Sequence, residues 1–201
     1  MAGLELGPGI QEQARDFVRR RVREGFSTPK EIIDQGCDYF IDQADLDALE
    51  PYLQQAISEE LRAHRDAQAG WPEITDCDLL DMAFGVLDHR GIVARQNFSC
   101  CQTCGHTEIG AEIERVRKQR PVEGYVFYHE QDTESAAETG ALYLAYGAVE
   151  EGPATLVEVG QHIVSILQAE GLHVEWDQDP RKRLRVNLDW KRRRTYPGEA
   201  K

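Results

Sequence analysis

The spacing of apolar residues along the chain changes once, from helical to mixed. In "IQEQARDFVRRRVREGF", Ile10, Ala14, Phe17, Val18 and Val22 recur at three- and four-residue intervals, which predicts an amphipathic helix stopped by Gly25. "STPKEIIDQGCDYF" follows with a Ser/Thr start and Pro29. "DQADLDALEPYLQQAISEELRAHRDAQ" sets Leu46, Leu49, Leu53, Ile57 and Leu61 along one helix face, with Pro51 either splitting it or sitting near its start. "ITDCDLLDMAFGVLDHRG" repeats the pattern through Leu79, Ala83, Val86 and Leu87 and ends at Gly91. Residues 1–10, rich in glycine and without period, read as a frayed end.

Beyond Gly91 strands and helices alternate. "GIVARQNF" puts Ile92, Ala94, Gln96 and Phe98 on one face of a strand, and "TEIGAEIERVRKQR" returns to helix with Thr107 as its N-cap and Ile109, Ile113 and Val116 inward. "GYVFYHEQ" reads as a strand and "DTESAAETG" as a short helix capped by Asp132 and closed by Gly140. "ALYLAYGAV" is almost wholly apolar over strand length, the mark of a central strand covered on both faces. "ATLVEVGQHIVSILQAEG" is a helix with Leu156, Val159, Ile163, Ile166 and Leu167 on one side. "LHVEW" and "RLRVNLDW", joined by the turn-prone "DQDPRK", form a terminal antiparallel hairpin. The fold class expected is α/β (α+β): a helical N-terminal region over residues 1–90, an α/β domain of mixed β-sheet with packed helices over 91–194, and a tail at 195–201.

Charge narrows the partners. The chain of 201 residues has a net charge of −13, which argues against general nucleic-acid or anionic-membrane binding. The balance is uneven: residues 171–201 hold 9 Lys and Arg against 5 Asp and Glu, a surplus of +4 that leaves −17 for residues 1–170. The basic stretch 181–194 could contact an acidic partner or RNA, but Arg183 and Arg185 are more simply the solvated face of a strand whose Leu184 and Val186 point inward. No apolar run is long enough to span a bilayer and the start lacks the pattern of a signal peptide, so a cytoplasmic protein is expected. Neither a P-loop nor a dinucleotide-binding glycine motif occurs.

Candidate chemistry is concentrated in "NFSCCQTCGHTEIG". Three of the five cysteines, Cys100, Cys101 and Cys104, fall within five positions, and His106 follows two residues later. An odd, unevenly placed set that also includes Cys37 and Cys77 argues against a secreted disulfide framework. Three readings stay open. A CxxC turn is half of a zinc site, and Cys100, His106 or the distant His129 could complete a structural metal centre, with zinc the expected ion. A CxxC ahead of a helix is also how a low-pKa redox thiol is made, with Cys101 as nucleophile and Cys104 resolving it. Small thiols packing a turn are the plainest reading.

A second cluster lies in "HEQDTE". His129, Asp132 and Glu134 sit where a strand passes into a helix, the position at which open α/β sheets place ligand crevices. His129 could serve as base or metal donor oriented by Asp132. Against this, Asp132 is a good N-cap, Glu134 suits a first helical turn, and His129 shares a strand face with Tyr125 and Phe127.

Taken together, "ARQNFSCCQTCGHTEIG", "YVFYHEQDTESAA", "LYLAYG", "GLHVEW" and "RVNLDWKRR" resemble an uncharacterised bacterial family known as a domain of unknown function, over roughly residues 75–194. The resemblance implies that the helix near 75–90 belongs with the α/β part, and it assigns no activity. The expected function is a binding or regulatory module with a Cys/His metal site and an unidentified protein partner, the alternative a thiol-dependent redox enzyme or sensor.

Overall fold

A computed structural model describes residues 6–150 and 153–196. They form seven helices and a mixed five-stranded sheet, an α+β fold with a helical N-terminus, grouped into two compact units. Among the described residues no helix is long and apolar enough to cross a membrane.

The first unit comprises residues up to Pro72 together with the segment from Lys191 onward. Its helices are α1 (Pro8–Glu24), α2 (Pro29–Tyr39) and α3 (Leu46–Gln68). The periodic positions are the buried ones: Ala14, Phe17, Val18 and Val22 of α1 meet Ile32 of α2 and Leu49, Leu53 and Ile57 of α3 in one core. Helix α1 starts inside the stretch expected to fray, because Pro8 at its first turn needs no amide partner and presets the helical φ; residues 1–5 of that stretch lie outside the described residues. Gly25, at φ +88, ends α1 in a left-handed cap that a side chain would strain. Thr28 and Glu31 close α2 with a reciprocal capping box. Pro51 sits in the second turn of α3 and leaves that helix continuous.

The chain's last described residues return to this unit. The Arg194 guanidinium, buried enough that its pKa is lowered, donates to the carbonyls of Arg21 and Val22, in the last turn of α1, and of Ser27, at 2.8–2.9 Å. The carbonyls of Arg21 and Val22 are ones that a helix end leaves without an intrahelical donor, and a cation there is favoured by the helix dipole. Tyr196 adds a hydroxyl 2.7 Å from His64 Nδ1. Of the expected tail at 195–201, residues 197–201 lie outside the described residues.

The second unit runs from Glu73 to Trp190. It contains α4 (Asp76–His89), β1 (Ile92–Arg95), α5 (Gln102–Arg117), β2 (Gly124–Phe127), α6 (Glu130–Thr139), β3 (Ala141–Ala148), α7 (Pro153–Ala169), β4 (His173–Glu175) and β5 (Leu184–Asn187). The strand order is β1-β2-β3-β5-β4; β1 and β2 run parallel, joined by α5, and every other pair is antiparallel. β3 lies at the centre with Leu142, Leu144 and Ala145 buried, as its unbroken apolar run requires. Helix α4 packs on β1 and α7, so it joins the sheet as the family resemblance implies.

Element boundaries differ from the expected ones at three points. Helix α5 begins at Gln102, five residues ahead of Thr107. Thr107 is therefore internal, and its hydroxyl donates back to the Thr103 carbonyl at 3.0 Å instead of capping. β1 stops at Arg95 because Asn97 and Ser99 take positive φ angles of 48° and 65°, which no ladder tolerates. β2 stops at Phe127 and α6 starts at Glu130, so the N-cap of α6 is His129 and Asp132 occupies its third position.

Candidate metal centre and the loops that carry it

Because β1 and β2 are parallel, their carboxyl ends face the same edge of the sheet, and the loops leaving them are tied together. The amide of Phe98 donates to the Tyr128 carbonyl at 2.8 Å, that of Glu130 to the Ser99 carbonyl at 3.1 Å, and the Tyr128 hydroxyl to Gln96 Oε1 at 2.7 Å. Thr133 Oγ1 donates to Asn97 Oδ1 at 2.7 Å. Two constellations some 25 residues apart in sequence thus sit side by side, with the left-handed Asn97 and Ser99 holding the first loop in the shape that makes these bonds.

Cys101 is the N-cap residue of α5 and Cys104 its third helical position, the spacing at which capping-box side chains meet. The sulfurs of Cys100, Cys101 and Cys104 all lie within 4.8 Å of one another. Cys100 is exposed and the other two half-buried. The Cys101 sulfur makes no capping hydrogen bond of full geometry, yet it is turned toward the first turn of the helix. The Cys104 amide, followed by the Cys104 and Cys100 thiols and the Thr103 amide, holds the Cys101 thiol below its ordinary pKa against the cost of desolvation. Cys104 is pushed up to about 11 because it is hydrogen-bonded to the sulfurs of Cys100 and Cys101 and feels their charge.

The histidines expected to complete a metal site stand apart from this group. Among the described residues neither His106 nor His129 nor any carboxylate joins the three sulfurs. His106 projects to a different side of α5, its Nδ1 3.4 Å from the Tyr125 hydroxyl and its ring edge-on to Phe127 at 5.2 Å between centroids. His129 is 5% exposed, and its side chain is held by Asp132. Nδ1 accepts from the Asp132 amide at 3.2 Å, which leaves the proton on Nε2, 3.0 Å from Asp132 Oδ2. Burial lowers the His129 pKa; Asp132 opposes that shift, while Arg183 and His106 add to it. A neutral His129 with both nitrogens engaged is the result.

Asp132 is also buried, and its Oδ1 accepts from Arg183 Nη1 at 2.9 Å. Arg183, expected on the solvated face of a strand, is half-buried and serves as counter-ion to a buried carboxylate, lying over the Tyr143 ring at 5.1 Å. No sequence signal links residues 51 positions apart across a sheet. Glu134 falls in the second turn of α6, because that helix starts at Glu130. None of His129, Asp132 and Glu134 lines the cavity of about 380 Å³ bounded by Glu123, Glu150, Glu158 and His162.

Gly105 is a further positioning residue that motif reading passed over. A Cβ there would lie 2.4 Å from Phe127 Cε2, so the absence of a side chain lets the first turn of α5, and with it the cysteines, settle on the end of β2.

The class is defined by this fold and site: an α+β protein carrying a three-cysteine cluster at a helix N-terminus beside a buried His-Asp-Arg network. The chain belongs to the family described as domain of unknown function (DUF6891), whose model matches residues 8–194 and so includes α1 to α3, which the resemblance over 75–194 left out. No curated protein and no solved structure matches it.

Proposed function

We propose that this protein is a binding or regulatory module that holds a soft divalent metal, zinc by the chemistry of the donors, on Cys100, Cys101 and Cys104. The observation that supports this reading is the convergence of three sulfurs within 4.8 Å. Thiolates select zinc and other soft ions over hard ones, and a helix N-terminus favours the negative charge that three thiolates bring. His106, turned toward Tyr125 and Phe127, and His129, engaged with Asp132, are left outside the ligand set proposed. The test is elemental analysis with a free-thiol count on untagged, reduced protein. About one zinc per chain, with three thiols protected and lost together in Cys101→Ser, is the expected outcome. A metal content far below one equivalent defeats the reading.

A second reading, a thiol-dependent redox enzyme or sensor, is favoured by the contrast between a Cys101 of lowered pKa and a Cys104 raised to about 11, the division of labour of an attacking and a resolving thiol. It predicts that metal-free protein is alkylated first at Cys101, with its rate rising at lower pH than that of an ordinary cysteine. Equal, slow alkylation of both cysteines removes it.

A further inference from the structure

We infer that the centre is an open one: the protein supplies three thiolates, and the fourth position is filled from solution by the thiolate of a small-molecule thiol. This rests on the metal-binding reading above and goes beyond it in assigning a ligand class.

The argument is one of donor supply. Structural zinc takes four protein ligands, whereas sites that act on a ligand keep three and leave one position exchangeable. Here the three sulfurs converge and nothing else among the described residues joins them. His106 is turned toward Tyr125 and Phe127 and also meets the Gln102 side chain at 3.5 Å. His129 has one ring nitrogen accepting an amide and the other against Asp132, and freeing it would uncap α6 and leave a buried carboxylate with one partner fewer. Cys100 is exposed and Cys101 and Cys104 only half-buried, so the cluster is open to a molecule from solution.

Softness decides what enters. A metal already bound by three thiolates prefers sulfur to the harder oxygen donors. In the step proposed, the incoming thiol releases its proton to solvent, its sulfur donates an electron pair to the metal, and the water that held the position leaves; nothing is oxidised or reduced. Binding to the ion keeps that sulfur deprotonated at neutral pH.

Cobalt(II), whose visible bands report its ligands, provides the test when titrated anaerobically into the metal-free full chain before N-acetylcysteine is added. We expect one cobalt per chain and a saturable spectral change as the thiol enters, with cobalt retained by the protein through gel filtration. His106→Ala should give the same change with the same midpoint. Cobalt bound with no response to the thiol, together with a spectrum altered by His106→Ala, means that His106 closes the site, and this inference fails while the metal reading stands. Loss of cobalt to the added thiol overturns the inference as well. Failure of the chain to bind cobalt overturns both.

Discussion

Asp132 gives its two carboxylate oxygens to different partners. Oδ1 takes a guanidinium N–H from Arg183, and Oδ2 meets the backbone amide and the ring of His129. A buried carboxylate is tolerable only when so satisfied. Arg183→Ala removes one side of this arrangement and is expected to lower stability by about 1–3 kcal/mol, measured as a shift in urea midpoint at unchanged slope. A midpoint within error of wild type would show that Arg183 is dispensable to Asp132. At this scale the sequence was uneven as a guide. Cys100, Cys101 and Cys104 were legible because one helical turn brings them together, so spacing alone reports their proximity. The Asp132–Arg183 pair was not, since strand order and register decide which distant side chains meet.

Helix α5 shows how one element sets the site. Its first turn carries Cys101 and Cys104, and Gly105 lets that turn rest on Phe127. Gly105→Ala would overpack this contact, with an expected loss of about 1–3 kcal/mol and, on the metal-binding reading proposed above, weaker metal retention as the cysteines are displaced. Gly110, on the same helix and exposed with nothing within 4 Å of an added Cβ, is the control. Gly110→Ala is expected to raise stability by about 0.5–1 kcal/mol and leave the cysteines unaffected. If both variants behaved alike in thermal or urea unfolding, the glycine at 105 would have no positional role. The existence and type of most elements could be read from periodicity, because burial of one face enforces it. Their ends could not: α5 and α6 start earlier than expected, with Cys101 and His129, neither a favoured cap by composition, at the N-cap positions, His129 through a local capping box with Asp132.

For the molecule as a whole, two units with separate cores share one chain, and the first depends on residues from both ends of it. Arg194→Ala deprives three carbonyls of their donor at the end of α1, and a loss of about 1–3 kcal/mol is expected, read from the unfolding of the helical unit. His64, in the same unit, adds a pH dependence. Burial lowers its pKa, with Arg194 adding to the shift and the Arg192 carbonyl opposing it. The unfolded chain, with His64 near about 6.5, therefore binds the proton more readily than the folded one. The contribution is fully present above that value and is lost as pH falls through it toward the lower folded value. His64→Gln should flatten this part of the stability profile between neutral and mildly acidic pH. An unchanged slope would assign the acid sensitivity to other groups. In the basic tail, Arg181, Lys182, Arg183 and Arg185 pair with Asp179, Asp177, Asp132 and Glu175, partners that composition alone does not assign.

The return of Arg194 to the end of α1 also orders events in time. On the ribosome helices α1 to α3 emerge before the sheet-bearing unit, but the guanidinium that seals α1 is added only after that whole unit has been synthesised. The α1 end therefore gains this donor only after a second unit has been made, and a chain cut short after Trp190 would carry an unsealed helix end as a built-in mark of its truncation.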